Sequence, residues 1–310
     1  MKATGGDVQV ATLPSGGSLM TRHRLTAALA ASFLALGAVA TSSVTTANAR
    51  PAQDARAASL PFALARIGPA HGVAIASTMR PGVRLIKVTS QVDGGEMMIV
   101  HLKAGYTLEQ ALADASAGFE HNDLEALNRL YDNLIFIGSA TASPGHPSTF
   151  IANLAPGKYY GVDFSVDAPT VDMFAPFTVT GDPTGAVPPV SPTITATSDK
   201  TWARNPARLP AKGMLRFRNI AQSPHFIEID RLKAGKTYDD FVAWVKAGAS
   251  GQPPLREEGS FYRDLVSPGH SYQFKYATVP GKYVVMCWMP DRKTGMPHVL
   301  MGMSRPLTLR

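Results

Sequence analysis

Residues 280–303 read PGKYVVMCWMPDRKTGMPHVLMGM, and this stretch says most about the fold. Its Pro-Gly pair predicts a turn, because proline fixes φ and glycine permits positive φ. The following Tyr283–Cys287 is rich in β-branched and aromatic residues, which predicts a strand that ends at the cysteine. A loop with further turn formers then leads to His298 and Met303, and a last strand is predicted over 305–309.

Three short blocks of this half occur earlier in the chain in the same order. They are LKAGKT at 232–237 with LKAGYT at 102–107, SPGH at 267–270 and 143–146, and PGKY at 280–283 and 156–159. Such repetition at a nearly constant spacing indicates two copies of one domain.

The repeat divides the chain. Residues 181–197 are rich in Pro, Gly, Ser and Thr and are predicted to be a linker between domain one, 58–180, and domain two, 198–310. Short strands and frequent Pro-Gly turns within about 110 residues favour a β-sandwich in each domain. The fold class is therefore predicted to be mainly β.

Each domain is also predicted to contain inserted helices. Thr107 is followed three residues later by Gln110, the spacing of a capping box, and Thr237 is followed by acidic residues of a first helical turn. The stretches after both threonines have helical apolar spacing, and residues 122–133 extend the helical part of the first domain.

The N-terminal region resembles a secretion signal. Arg22 and Arg24 precede an apolar run at 25–40, and small residues at 47–49 provide a cleavage site, so the mature chain is predicted to begin near Arg50. Residues 1–49 are thus assigned to the signal peptide and an upstream segment. The protein is expected to be periplasmic or secreted.

Composition excludes some partners. The 310 residues are 45% apolar and 17% charged, with a formal net charge of +7. No cluster of Lys and Arg is interleaved with aromatic residues, which argues against nucleic acid. No later apolar run approaches the roughly 20 residues of a membrane span, so none is expected in the mature chain.

Cys287 is the one cysteine. An exported protein ordinarily pairs its cysteines, and this one has no intrachain partner. Three interpretations stay open from the residue alone: a buried inert thiol, an intermolecular disulfide or a metal ligand.

The order of residues in the second domain resembles the cupredoxin family, the plastocyanin-like type 1 copper proteins. The resemblance rests on Asn219 with Pro-His225 at a strand start, on Tyr283 with Cys287, and on Pro-His298 with Gly-Met303. It implies two tandem cupredoxin-like Greek-key β-sandwiches with short helical insertions. It also implies one copper ion held by His225, Cys287 and His298, with Met303 as the weak axial ligand.

That residue set suits copper chemistry. Two imidazoles and one thiolate in a trigonal arrangement, with a distant thioether, form the electron-transfer copper site of proteins. Met301 is a nearby competitor for the axial position, but the spacing in the family favours Met303. Ten residues, 288–297, separate Cys287 from His298, where the family has only a few. Turn formers in this insert would let it bulge outward and return His298 to the metal, but the insert could equally hold His298 away from the metal, and both arrangements stay open.

Domain one is predicted to lack the metal. Aligned on the repeat blocks, Gly95 stands opposite His225, Asp163 opposite Cys287 and Met173 opposite Met303. No histidine follows Asp163 before the domain ends. Domain one is therefore interpreted as a ligand-free copy.

These observations predict an exported copper-binding protein that performs one-electron transfer or copper handling, with a redox protein as partner. His298 is predicted to expose an imidazole edge to that partner, framed by the insert. The alternative is a copper-free cupredoxin-like module that binds a protein or small ligand. An enzyme such as a copper nitrite reductase or multicopper oxidase would need His-x-His pairs, and the sequence has none. A carrier or binding protein is therefore expected rather than an enzyme.

Overall fold

The computed structural model describes residues 60–166, 168–185, 188 and 192–310. The predicted signal peptide lies outside the described residues, as do several residues of the predicted linker. The described chain is mainly β, as the sequence predicted. In this part of the chain no helix is long and apolar enough to cross a membrane.

Among its described residues the first half contains nine strands, two α-helices and a short 3-10 helix, Val171–Met173. The strands are β1 (Phe62–Ile67), β2 (Val73–Ile75), β3 (Thr78–Met79), β4 (Gly82–Ser90), β5 (Gly95–Leu102), β6 (Leu134–Ala142), β7 (Ser148–Leu154), β8 (Gly157–Asp163) and β9 (Ala175–Val179). The helices α1 (Leu108–Glu120) and α2 (Leu124–Asn133) lie between β5 and β6.

The second half contains nine strands and one helix. The strands are β10 (Thr193–Ser198), β11 (Thr201–Trp202), β12 (Arg208–Leu209), β13 (Lys212–Asn219), β14 (His225–Leu232), β15 (Leu255–Val266), β16 (Ser271–Ala277), β17 (Gly281–Met286) and β18 (Ser304–Leu309). Helix α3 (Tyr238–Lys246) lies between β14 and β15, and a short 3-10 helix, His298–Met301, precedes β18.

The strand orders of the two halves correspond element by element. The first half pairs its strands as β2-β1-β4-β7 and β3-β9-β8-β5-β6, and the second as β11-β10-β13-β16 and β12-β18-β17-β14-β15. Each strand number in the second half is nine higher than its counterpart. In both halves the chain crosses between the two sheets, for instance from β4 to β5 and from β13 to β14, as it does in Greek-key sandwiches.

The halves share one sheet. Strand β16 pairs antiparallel with β7, with Phe274 opposite Phe150, so that two four-stranded sheets join into one of eight strands. Tyr272 of β16 is buried at this junction, where its ring meets Phe150 edge-on. A Cβ atom at Gly138 of β6 would lie 2.8 Å from that tyrosine ring, so the junction requires glycine there. The two halves therefore share a core.

The predicted helix starts are confirmed. Thr107 accepts the backbone N–H of Gln110, whose side chain accepts the Thr107 N–H in return. Thr237 forms the same reciprocal pair with Asp240. Each capping box satisfies two N–H groups that a helix leaves unpaired at its first turn.

The predicted boundary of the linker differs from the structure. Residues 181–197 were predicted to be linker from their composition, but Thr193–Ser198 forms β10. Ile194 and Ala196 are fully buried in this strand. Alternation of apolar and polar residues outweighs the Thr and Pro content here, because a two-residue period buries one face. The division into two domains itself stays a prediction.

Candidate metal centre

Three elements bring the predicted ligands together. His225 is the first residue of β14, and Cys287 follows the last residue of β17. These strands are antiparallel, with Glu228 opposite Met286, so the start of β14 lies beside the end of β17. His298 opens the 3-10 helix, and its backbone N–H donates to the carbonyl of Met289 at 2.9 Å, which returns the chain to the cysteine.

The three side chains converge through one atom each. The Cys287 Sγ lies 3.5 Å from His225 Nδ1 and 3.9 Å from His298 Nδ1, and the two Nδ1 atoms are 3.2 Å apart. All three residues have no solvent exposure. Nitrogen and sulfur ligands lie roughly 2.0–2.3 Å from an ion such as zinc. Donor atoms spaced as these are can contact one common ion. The structure thus brings the three predicted ligand residues together, and their role as metal ligands stays a prediction.

Met303 lies next to this cluster and is fully buried, whereas its competitor Met301 is partly exposed. The Met303 N–H donates to the carbonyl of His298 at 2.9 Å, and its own carbonyl accepts the indole N–H of Trp202 at 3.2 Å. Its backbone is thus tied to the site. Its role as axial ligand stays a prediction.

Asn219 fixes the loop that leads to His225. Its side-chain amide donates to the carbonyls of Ser223 and Val266, both at 2.8 Å, and its Oδ1 accepts the Ala221 N–H at 2.9 Å. The asparagine that formed part of the sequence resemblance therefore has a structural function. It holds the turn between β13 and β14, which sets the position of the first histidine.

Burial keeps the cluster uncharged. It raises the pKa of the Cys287 thiol to about 12, although the backbone N–H groups of Met289 and Phe226 act in the opposite direction. Burial, with the neighbouring His225, lowers the pKa of His298 to about 4. Burial also lowers the pKa of His225, against the effect of Asp199. Neutral imidazoles are ready to bind a cation, but the thiol must first lose its proton.

Two carboxylates flank the histidines, and neither was singled out from the sequence. Oxygens of Asp199 and Asp291 and a ring nitrogen of His298 lie within 4.8 Å of one another. Burial raises the pKa of Asp199, but the nearby His225 imidazole and the hydrogen bonds from Ser223 outweigh it and hold the pKa well below its usual range. No short spacing in the sequence links Asp199 to the ligands, because it lies in the turn between β10 and β11.

The insert 288–297 forms a compact hairpin. Pro290 and Pro297 form an isolated antiparallel bridge, and the Asp291 N–H donates to the carbonyl of Met296 at 2.9 Å. One carboxylate oxygen of Asp291 accepts two backbone N–H groups, from Lys293 and Thr294, together with the Thr294 hydroxyl. Of the two arrangements that the sequence left open, the insert adopts the one that returns His298 to the cluster.

This hairpin packs against helix α2 of the first half. The Asn128 amide donates to the Arg292 carbonyl, and the Arg292 Nε donates to Asn128 Oδ1, both at 3.0 Å. Arg292 also forms an ion pair with Asp132. The Tyr131 hydroxyl donates to the Pro290 carbonyl at 3.3 Å.

The predicted exposure of His298 is wrong. The residue is fully buried, and its Nε2 has no hydrogen-bond partner among the described residues. The expectation assumed that the insert would leave an opening beside the imidazole. Instead the insert folds back, forms hydrogen bonds with α2 and helps to bury the site. The contact joins residues 164 positions apart in the sequence, so no local pattern could have indicated it.

The corresponding place in the first half contains a contact between a carboxylate and an imidazole. Asp163, at the end of β8, is fully buried, and its Oδ2 lies 2.6 Å from His71 Nδ1. Its Oδ1 accepts the backbone N–H groups of Glu96 and Ser165, at 2.8 and 3.0 Å. Gly95 starts β5 where His225 starts β14. Among the described residues of this half, no group of three or more potential metal ligands comes together.

No protein-family model matches the chain, and neither does any curated protein. Several solved structures, however, are similar to parts of the chain. A reduced auracyanin from the photosynthetic bacterium Roseiflexus castenholzii is 20% identical over 38% of this chain and 94% of its own, with a TM-score of 0.26. An oxidised plastocyanin from Dryopteris crassirhizoma is 20% identical over 38% of this chain and 99% of its own, with a TM-score of 0.22.

A copper-containing nitrite reductase from Thermus scotoductus is 11% identical over 80% of this chain and 61% of its own, also with a TM-score of 0.22.

Proposed function

We propose that this protein is an exported copper-binding protein that transfers single electrons, with one ion held by His225, Cys287 and His298 and with Met303 as the weak axial ligand. The observation that carries the proposal is the convergence of two imidazole nitrogens and one thiol sulfur, within 4 Å of one another and without solvent exposure. Copper in such a site, when bound, exchanges one electron with little change in its coordination.

The chain supplies what such an ion requires. The strand ends and the hairpin hold the three donors in place, and burial excludes water that would compete for the ion. The Met289 and Phe226 N–H groups stabilise negative charge on Cys287. Since the pKa of that thiol is raised, ion binding must displace its proton, and binding weakens as the pH falls.

The signal-like N-terminal region supports export to the periplasm or the medium, where a redox protein would be the partner. The matching strand orders support two copies of one domain, the first kept as a structural partner. The donor set supports a carrier rather than an enzyme, since it provides one mononuclear site.

Copper titration of the purified chain tests the proposal. We expect one bound copper per chain and an intense thiolate-to-copper absorption band in the visible range, both measured beside a Cys287→Ser variant. The variant replaces the soft sulfur by a weak hydroxyl ligand of similar size, so it should lose the band and most of the affinity. Unaltered copper binding in the variant, or none in the wild type, would contradict the proposal. The second outcome would favour the copper-free binding module.

The burial of His298 favours a second candidate function, in which the protein stores copper and does not use it for electron transfer. A partner protein reaches an exposed ligand edge more easily than a buried one. Slow reduction of the bound copper by small mediators, together with slow release to a chelator, would assign the holding function. Rapid reduction would assign electron transfer.

A further inference from the structure

Asp199 contacts His225 at Nε2, on the edge of the imidazole ring that points away from the other metal donors. Its Oδ1 lies 3.3 Å from His225 Nε2, while the Nδ1 of the same ring points to Cys287. The contact has the distance of an ion pair but lacks the alignment of a good hydrogen bond, and Nε2 has no other partner among the described residues.

Asp199 itself is held in place. The Ser223 N–H donates to its Oδ1 at 3.1 Å, and the Ser223 hydroxyl donates to its Oδ2 at 3.0 Å. Ser223 belongs to the same turn that Asn219 fixes, two residues before His225. The carboxylate is thus anchored to the loop that positions the histidine, and its side chain is only 22% exposed.

We propose that Asp199 is a positioning residue for the metal site, which keeps the proton of His225 on Nε2, leaves the Nδ1 lone pair free for the ion and favours Cu(II) over Cu(I). The inference rests on the proposed function. A carboxylate behind a ligating imidazole fixes its tautomer and raises its basicity. A negative charge this close, at low exposure, also stabilises the more highly charged ion.

A carboxylate–imidazole pair at the corresponding place in the first half supports the role proposed for Asp199. There the turn between β1 and β2 carries His71, which pairs with the buried Asp163. In the second half the corresponding turn, between β10 and β11, carries Asp199. In each half, this turn therefore contributes one residue of a carboxylate–imidazole pair, at corresponding places of the two halves. In the second half the imidazole of that pair is also a metal donor.

The Asp199→Asn variant tests the charge. Its amide oxygen can still accept the Nε2–H, but the negative charge is gone. We expect copper stoichiometry to be kept and Cu(II) affinity to fall about 10-fold relative to Cu(I) affinity, within the range found for outer-shell partners. For a one-electron couple this raises the reduction potential by about 59 mV. The matched control, Asp163→Asn, alters the equivalent pair of the first half and should leave the potential unchanged.

The tautomer is tested in the metal-free chain by ¹⁵N NMR of the histidine rings. We expect His225 to carry its proton on Nε2 in the wild type and to populate both tautomers in Asp199→Ala, with a smaller shift in Ser223→Ala. A wild-type potential and affinity in Asp199→Asn, or the same His225 tautomer in wild type and Asp199→Ala, would overturn the inference. If the wild type bound no copper, the proposed function would fail, and the NMR comparison would still decide the role of Asp199.

Discussion

The two halves of the chain hold different side chains in the same backbone cradle. In the first half, the N–H groups of Glu96 and Ser165 donate to the buried carboxylate of Asp163. In the second half, those of Phe226 and Met289 donate to Cys287. The donors occupy corresponding positions in the two halves, one near the start of a strand and one two residues after the acceptor.

The difference shows what the scaffold provides and what it does not. Two converging N–H groups stabilise any buried acceptor, so this cradle suits a carboxylate and a thiolate alike. The metal site needs two histidines in addition, and only the second half has them. In the first half the buried carboxylate of Asp163 contacts the His71 imidazole, whereas in the second half the thiol of Cys287 faces two imidazole nitrogens that can bind a cation with it.

Gly95 explains why the first half cannot simply gain the first histidine. A Cβ atom there would lie 2.5 Å from the Ser90 Oγ. That hydroxyl is held in a turn, because it donates to the Val92 carbonyl and accepts the Val92 N–H. The first half therefore has no space for a side chain at this position, and the two halves are not interchangeable there.

The Gly95→His variant tests the difference between the two halves and should have the largest effect on stability. Overpacking of a core costs about 1–3 kcal/mol, and an imidazole buried without a partner adds to this, so we expect a loss of about 4 kcal/mol in the free energy of unfolding. Urea denaturation followed by circular dichroism measures it. Gly72→Ala is the control, since a Cβ atom there meets nothing within 4 Å. Equal stability of the two variants would refute the steric explanation.

Acidification should act on the second half of the metal-free chain. The pKa of His298 is lowered to about 4 in the folded state, from an ordinary value near 6.5. The unfolded chain therefore binds the proton first as the pH falls. The stability is complete above about pH 6.5 and is lost towards about pH 4, by about 3 kcal/mol for this group. His225 acts in the same direction.

All three tryptophans lie in the second half, at positions 202, 244 and 288, so their fluorescence follows its unfolding selectively. We expect the urea midpoint of this signal to fall from about pH 7 to about pH 4 in the wild type and to fall less in His298→Gln. The same pH dependence in both proteins would show that other groups control the acid response.

The sequence predicted which side chains meet at this site better than it predicted their surroundings. Cys287, His225 and His298 were found because residue order along the chain survives a change in loop length. The capping boxes at Thr107 and Thr237 were found because their partners lie three residues away. Asp199 and the burial of His298 were missed, because each depends on a contact between segments that are distant in the sequence. The strand within the predicted linker was missed because composition was given more weight than alternation.

The contact between the halves should have a small effect on stability and a larger one on access to the site. Arg292 joins the hairpin to α2 through Asn128 and Asp132, with its side chain 25% exposed. Partly exposed pairs of this kind contribute about 1 kcal/mol or less, so Arg292→Ala should destabilise the fold by about that amount.

Opening of the hairpin would nevertheless expose His298, since the insert that covers this residue is held on α2 by these bonds. We therefore expect a chelator to remove bound copper several times faster from Arg292→Ala than from the wild type, measured by the decay of the thiolate-to-copper band. The exposed neighbour Lys293 provides the control, as Lys293→Ala removes a positive charge from the same hairpin. Equal rates in the two variants would mean that copper leaves by another route. A faster rate in Arg292→Ala alone would show that contacts with the first half keep the site in the second half covered. The first half needs no metal of its own for this function.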